Sequence, residues 1–254
     1  MTTAIAGELA GRVALITGAA NGLGARMAER FAGAGASVVI ADLDETAGGA
    51  LAASLPGAGF LRLDVTCEAD WLAALDSIAA ERGPLDILVN NAGYYRPNVP
   101  LDEMELALWQ RHFAVNADGP FLGCREALRR MKGRGGVVLN VASTAALTGF
   151  INGAAYSASK AALAMLTRLA ARSGAPHHIR VNAILPGATP TAMLRSNAVP
   201  GQSDEQLFAA LLGHYPMGRL ATPDDIATAA LFLCSDRAAF ISGALLPVDG
   251  ASSA

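Results

Sequence analysis

A chain of 254 residues, 52% of them apolar and 16% charged, can bury one large core, and its composition is that of a compact α/β domain rather than a disordered or fibrous chain. A formal net charge of -3 without a basic cluster excludes nucleic acid as the expected partner and leaves a small molecule. No apolar run reaches the length of a bilayer span and Met1 to Leu9 lacks the pattern of a signal peptide, so no membrane partner is expected and the expected setting is cytoplasmic.

Short β-branched runs alternate with Ala- and Leu-rich stretches, the pattern of repeated βαβ units. The first strand is predicted at Val13 to Thr17, and Thr17-Gly18-Ala19-Ala20-Asn21-Gly22-Leu23-Gly24 turns it into the first helix. Further strands are predicted at Ser37 to Asp42, Phe60 to Asp64, Ile87 to Asn90, Val137 to Val141, Ile179 to Ile184 and Leu245 to Val248. One long helix is predicted over Met104 to Met131, stopped by Gly133, and another over Ala155 to Arg172, stopped by Gly174 and Pro176. With no linker or repeat, residues 1 to 254 read as a single dinucleotide-binding domain. It is a doubly wound Rossmann-type parallel sheet of about seven strands with helices on both faces, and its substrate loop lies near 187 to 216.

The glycines suit a pyrophosphate. Gly18 permits a tight turn, Gly22 lets backbone approach the anion, and Gly24 allows close helix packing, while the helix start from Asn21 through Leu23 offers free N–H groups. A glycine cluster in a chain with 27 glycines is also compatible with a simple tight turn. Asp42 closes the second strand 18 residues after Gly24, where a carboxylate accepts from adenosine ribose hydroxyls and repels a 2′-phosphate. No Arg or Lys follows from Leu43 to Ala53, so NAD is favoured over NADP.

Tyr156 and Lys160 stand four apart in a predicted helix and share a face. With four tyrosines and two lysines in the chain, that spacing arises by chance with a probability of roughly 3%. A phenol beside an ammonium, aided by the positive ring of an oxidised nicotinamide, is expected to fall in pKa and serve as general acid or base. Ser143, at the end of the fifth strand, reads equally as a strand cap or as a hydroxyl aimed at a reacting oxygen. Asn116 is a poor mid-helix residue, which hints at a purpose.

Gly18 to Gly24, Asn90-Asn91-Ala92-Gly93, Ser143 and Tyr156-Ser157-Ala158-Ser159-Lys160, in this order, resemble the single-domain branch of the short-chain dehydrogenase/reductase family over nearly the whole chain. The resemblance implies a catalytic set of Asn116, Ser143, Tyr156 and Lys160, with Asn116 positioning a proton-relay water and Lys160 also holding the nicotinamide ribose. It further implies that Asp64 and Val65 hold adenine, that Asn91, Ala92 and Gly93 pass the adenosine ribose, and that Pro186, Gly187, Thr189 and Thr191 hold the nicotinamide carboxamide. Asn90 would stabilise the central sheet. A homotetramer is the usual assembly, although Arg172-Ser173-Gly174 departs from the family pattern and predicts an early end to its helix.

Candidate substrate walls are Tyr94, Tyr95, Ala145, Leu147, Phe150, Asn152, Met193, Leu194, His214 and Tyr215, largely apolar or aromatic, which suits an uncharged cyclic or aromatic secondary alcohol or ketone. Arg96 or Arg195 is a candidate for a substrate carboxylate. The alternatives are a reductase of the 3-oxoacyl carrier-protein type, or a sensor or scaffold that keeps the fold without chemistry. Cys67, Cys124 and Cys234 read as core thiols, and no histidine spacing suits a metal.

Overall fold

The computed structural model describes residues 7–150 and 153–254. Seven parallel strands form one sheet: β1 (Val13–Thr17), β2 (Ser37–Asp42), β3 (Gly59–Arg62), β4 (Ile87–Asn90), β5 (Gly136–Val141), β6 (Ile179–Pro186) and β7 (Leu245–Val248). Their order is β3-β2-β1-β4-β5-β6-β7. The chain leaves β1 for one half of the sheet and returns at β4 to build the other, so the crevice of this doubly wound fold opens beyond the C-terminal ends of β1 and β4.

Alternation along the strands makes two cores. Ala14, Ile16, Val38, Ile40, Ile87 and Val89 face one side, against Met27 and Phe31 of α1 (Gly22–Gly33), Ala52 of α2 (Glu45–Ser54) and Ile226 and Ala230 of the helix Pro223–Cys234. Leu15, Val39, Leu88, Val138 and Val181 face the other. There they meet Trp71 and Leu75 of α3 (Glu68–Glu81), Ala127 and Met131 of α5 (Gly119–Met131), and Ala170 and Ala171 of α7 (Ala154–Gly174). Cys124 is buried in this second core and Cys234 in the first, and burial pushes both thiols up to about 12, whereas Cys67, just before α3, is only half-buried and is not a core thiol.

The third strand stops at Arg62 rather than Asp64, because Asp64 bends into a side-chain turn that accepts from Thr66 N (2.9 Å) and Thr66 Oγ1 (2.7 Å). The predicted helix from Met104 to Met131 is divided. A short 3-10 turn at Leu101–Glu103 precedes α4 (Leu106–Phe113), a π-helical segment spans Ala114–Asp118, and α5 follows. Conversely, α7 does not end early. It continues to Gly174, where a Cβ would stand 2.9 Å from the Ile179 carbonyl oxygen, so the glycine lets the last turn lie on β6.

A buried polar spine crosses the central strands, as the resemblance implied for Asn90. Its Nδ2 donates to Asn140 Oδ1 at 2.9 Å, and Asn140 Nδ2 donates to Thr167 Oγ1 of α7 at 2.9 Å. The spine ties α7, which carries the candidate reacting groups, to the strands beneath it.

Candidate active site

The crevice floor is a close approach of two loops. Gly18 has φ +62°, and a Cβ on it would lie 2.6 Å from Ala92 Cα, so the turn after β1 rests against the turn after β4. Thr17 Oγ1 fastens the contact by accepting from the N–H groups of Asn91 and Ala92, each at 3.1 Å, while the Asn91 amide donates to the carbonyls of Thr17 (2.9 Å) and Gly18 (2.8 Å). Gly24 is equally constrained, with a built Cβ 2.4 Å from the Gly18 carbonyl oxygen.

Gly22 differs. It has φ +60°, but the nearest atom to a built Cβ is Thr191 Cγ2 at 3.7 Å, so space remains above the start of α1. Asn21, the N-cap, makes no side-chain cap, and no acidic residue lies in the first turn. An uncapped helix start beneath open space fits a pyrophosphate. Asp42 borders it, with Oδ2 accepting from Ala20 N at 2.9 Å and Oδ1 from Leu43 N at 2.7 Å and Asp44 N at 3.1 Å. Those donors occupy three of about four lone-pair directions and leave one for a ligand hydroxyl. Across the crevice, Thr191 caps the short helix α8 (Ala192–Arg195), and Thr189 Oγ1 donates to the Gly187 carbonyl at 3.1 Å. Val65, which follows the Asp64 turn, is buried, and a Cβ on Gly119 would lie 3.1 Å from its carbonyl oxygen.

Deeper in the crevice, Tyr156 and Lys160 lie on one face of α7, with Nζ 5.7 Å from the phenol ring centroid. Lys160 is buried and donates to the Val141 carbonyl at 2.8 Å. Burial pulls its ammonium down to about 8. Burial also holds the Tyr156 phenol above its ordinary value, partly offset by its hydrogen bond with Ser143. The expected fall in the phenol's pKa is therefore not produced by the protein alone, because desolvation of the phenolate exceeds the help it receives. Of the two readings left open for Ser143, the cap is visible, since its Oγ accepts from Ala145 N at 3.2 Å, and the same side chain lies against the phenol.

Asn116 lies in the π-helical segment, fully buried. Its Oδ1 accepts from Tyr94 N (2.8 Å), and its Nδ2 donates to Tyr94 O (2.9 Å) and Ser159 Oγ (3.0 Å). The wider π turn brings the side chain to bridge the loop after β4 and α7. A Cβ on Gly93 would find Asn116 Oδ1 at 3.5 Å and Lys160 Nζ at 3.6 Å, so all three converge.

Residues 18–252 match a family model described as Enoyl-(Acyl carrier protein) reductase. The chain is 43% identical to cis-4-hydroxycyclohexanecarboxylate dehydrogenase of Sinomonas cyclohexanicum, over 94% of this chain and 95% of that protein. The chain belongs to the short-chain dehydrogenase/reductase family. It is accordingly an oxidoreductase acting on CH–OH groups. It is also 39% identical to cyclopentanol dehydrogenase of Comamonas sp., over 96% of this chain and 98% of that protein. Among solved structures, a 3-ketoacyl-(acyl-carrier-protein) reductase from Brucella melitensis, complexed with NADH, superposes with a TM-score of 0.90 at 38% identity, over 97% of this chain and 100% of that one.

Within this dehydrogenase the predicted substrate walls separate. Tyr95 meets Tyr156 edge-on with ring centroids 5.0 Å apart, whereas the Tyr94 ring turns toward α4 and packs on His112 at 4.9 Å. Tyr215 is a strut rather than a free wall, since its hydroxyl accepts from Ala188 N at 2.5 Å and braces the Pro186-Gly187 turn. Arg195 is paired with Asp204 at 2.6 Å, which removes it as a ready carboxylate ligand, and His214 is exposed. Ala145 is half-buried in α6 (Ala145–Thr148), Leu147, Phe150 and Met193 are exposed, and the Leu194 carbonyl accepts from Asn197 Nδ2 at 3.0 Å. Asn152 lies outside the described residues. Among the described residues no cluster of metal-ligating side chains occurs.

Sequence reasoning gave no role to Thr17, Ser159, His112 or Asn197. His112 Nε2 lies 3.2 Å from Arg96 N while Nδ1 faces the Leu108 carbonyl at 2.9 Å, so the ring pins the loop after β4 to α4. Only Thr17 carried a signal, as the first residue of the glycine motif; the others act through partners distant in sequence.

Gly22→Ala is expected to fold, at a left-handed cost of about 1–2 kcal/mol, but to weaken NADH binding at least about tenfold in a fluorescence titration. Gly24→Ala is expected instead to lose about 1–3 kcal/mol of stability in urea through overpacking. Lys160 gives a third outcome. Between about pH 8, its folded value, and about 10.4, the ordinary lysine value, the unfolded chain binds the extra proton, so stability contributed at this site rises with pH. Urea midpoints of wild type relative to Lys160→Met are expected to improve from pH 7 to pH 10; a constant gap would contradict the burial of the charge.

Proposed function

We propose that this enzyme is an NAD-dependent dehydrogenase of compact cyclic secondary alcohols, with Tyr156 as general acid and base. The observation that carries the reading is the convergence, at one end of the crevice, of the Tyr156 phenol, its Ser143 partner and the buried Lys160 ammonium. When bound, the nicotinamide supplies the acceptor for hydride in alcohol oxidation and the donor in ketone reduction. Ser143 hydrogen-bonds the substrate oxygen, Tyr156 takes its proton in oxidation and returns one in reduction, and Lys160 stabilises the phenolate. Because Asn116 commits its amide to Tyr94 and Ser159, its part in proton relay falls to its backbone carbonyl.

The NAD assignment rests on Asp42 facing the crevice beside exposed Leu43. Asn21 to Gly24 hold the pyrophosphate, and Asp64, Val65 and Asn91 to Gly93 line the adenosine end. Pro186, Gly187, Thr189 and Thr191 hold the carboxamide. The ring-alcohol class is supported by the names of two relatives that act on cyclohexane and cyclopentane alcohols. The NADH-complexed acyl-carrier-protein reductase favours a second reading, reduction of a 3-oxoacyl thioester. The proposal also takes the chain as one domain with a substrate loop at about 187–216, and as a cytoplasmic homotetramer. Exposed Phe121, Met165 and Leu169 on α5 and α7 support assembly. No helix among the described residues is long and apolar enough to cross a membrane.

Steady-state assays with cyclohexanol, cyclopentanol and an acetoacetyl thioester, each with both cofactors, test the reading; turnover confined to the thioester would replace it with the second. Tyr156→Phe is expected to reduce kcat at least about 100-fold with NADH affinity retained, and NADH binding without turnover on any substrate would leave a sensor instead. In Asp42→Ala with Leu43→Arg, the ratio of kcat/KM for NADP over NAD is expected to rise at least about 100-fold. The ratio is the proper readout, because losing Asp42 also frees Ala20 N–H and weakens both cofactors.

A further inference from the structure

Tyr95 is placed by neither the cofactor site nor the acid–base set, yet it bridges two parts of the crevice. Its ring lies edge-on to Tyr156 at 5.0 Å and 63°, and its hydroxyl donates to Asn197 Oδ1 at 2.6 Å. Asn197 belongs to the segment after α8 and is itself fixed, since its backbone N–H (3.1 Å) and Nδ2 (3.0 Å) both donate to the Leu194 carbonyl. Behind the ring, a Cβ on Gly153 would stand in ordinary contact with Tyr95 Cε2 at 3.5 Å and crowd Phe150 Cδ1 at 2.7 Å, so the glycine backs Tyr95 while making room for Phe150, and Val99 bridges to Gly153 along the same wall. Burial, and secondarily Tyr156, push the Tyr95 phenol up to about 12, so it stays a neutral donor at any working pH.

An aromatic ring with one edge on the reacting phenol and its hydroxyl on the opposite loop spans the crevice between them. We infer that Tyr95, latched to Asn197, is the specificity-determining end wall of the substrate pocket, limiting it to an alcohol about one ring long. The inference rests on the ring-alcohol reading and deepens it. A substrate longer than one ring, such as a 3-oxoacyl chain on a carrier arm, would have to run past this ring. A single-ring alcohol needs a wall that presses its carbinol carbon toward the nicotinamide side. The hydrogen bond sets the ring's position, and the ring sets the depth.

The test is a series of 4-alkylcyclohexanols of increasing chain length assayed with NAD. Wild type is expected to lose kcat/KM at least about tenfold from hydrogen to butyl, mainly through KM. In Tyr95→Ala the series should flatten at least about tenfold, with cyclohexanol itself becoming poorer. Tyr95→Phe keeps the ring and loses the latch, so it should flatten the series partly. Asn197→Ala should match it, and the double variant should add little, because both remove the same bond. An unchanged dependence on chain length in Tyr95→Ala would overturn the inference, as would additive effects of Tyr95→Phe and Asn197→Ala. Hydrogen exchange across 193–212 needs no turnover. Faster exchange in Tyr95→Phe supports the latch, and unchanged exchange overturns it. If wild type turns over no cyclic alcohol while exchange still responds, the ring-alcohol reading fails and the latch stands.

Discussion

The seating of the turn after β1 on the turn after β4 is the contact on which the remaining site depends. Gly18 permits it sterically, and Thr17 and Asn91 hold it through four hydrogen bonds between the two loops. Because this is where the sheet reverses its winding, the contact fixes both the phosphate end of the crevice and the loop that carries Gly93, Tyr94 and Tyr95. A side chain at Gly18 would separate the loops and move both ends of the ligand site together.

From that floor, control of the reacting groups passes through buried polar residues rather than through the apolar cores. Asn116 joins Tyr94 to Ser159, His112 joins Arg96 to α4, and the Asn90–Asn140–Thr167 spine anchors α7 to the sheet. Each such group is costly to bury without its partner. Lys160 is the most costly, an ammonium held in the interior by one carbonyl, and its lowered pKa records that expense. Burial raises the Tyr156 phenol by contrast and so favours its neutral form; the role proposed for it in oxidation requires positive charge beside it to offset desolvation.

Substrate selection is governed by a different kind of contact. The candidate acid–base and cofactor groups sit on the turns after the strands, the start of α1, the π segment and α7, whereas the proposed substrate walls come from the loops after β4 and β5 and from the segment around α8. Tyr95 and Asn197 connect these loops across 102 residues of sequence, and Tyr215 braces the turn after β6. The motifs of the family and the residues proposed to limit substrate size therefore belong to separate parts of the molecule.

The amino-acid sequence alone determined the sheet and the winding, and it put forward Tyr156 and Lys160 as a pair. Strand periodicity, glycine spacing and the four-residue separation of Tyr156 and Lys160 are local properties of one chain segment at a time. Boundaries failed where a side chain overrode propensity, as at the Asp64 turn, the π segment around Asn116 and the glycine-packed end of α7. Only the tertiary structure decided which of two adjacent tyrosines reaches Tyr156, that Arg195 and Tyr215 are already engaged, and that Thr17, His112 and Asn197 hold the site together. Those outcomes depend on pairs brought close by folding, where burial and hydrogen-bond geometry, absent from any local pattern, choose the partner.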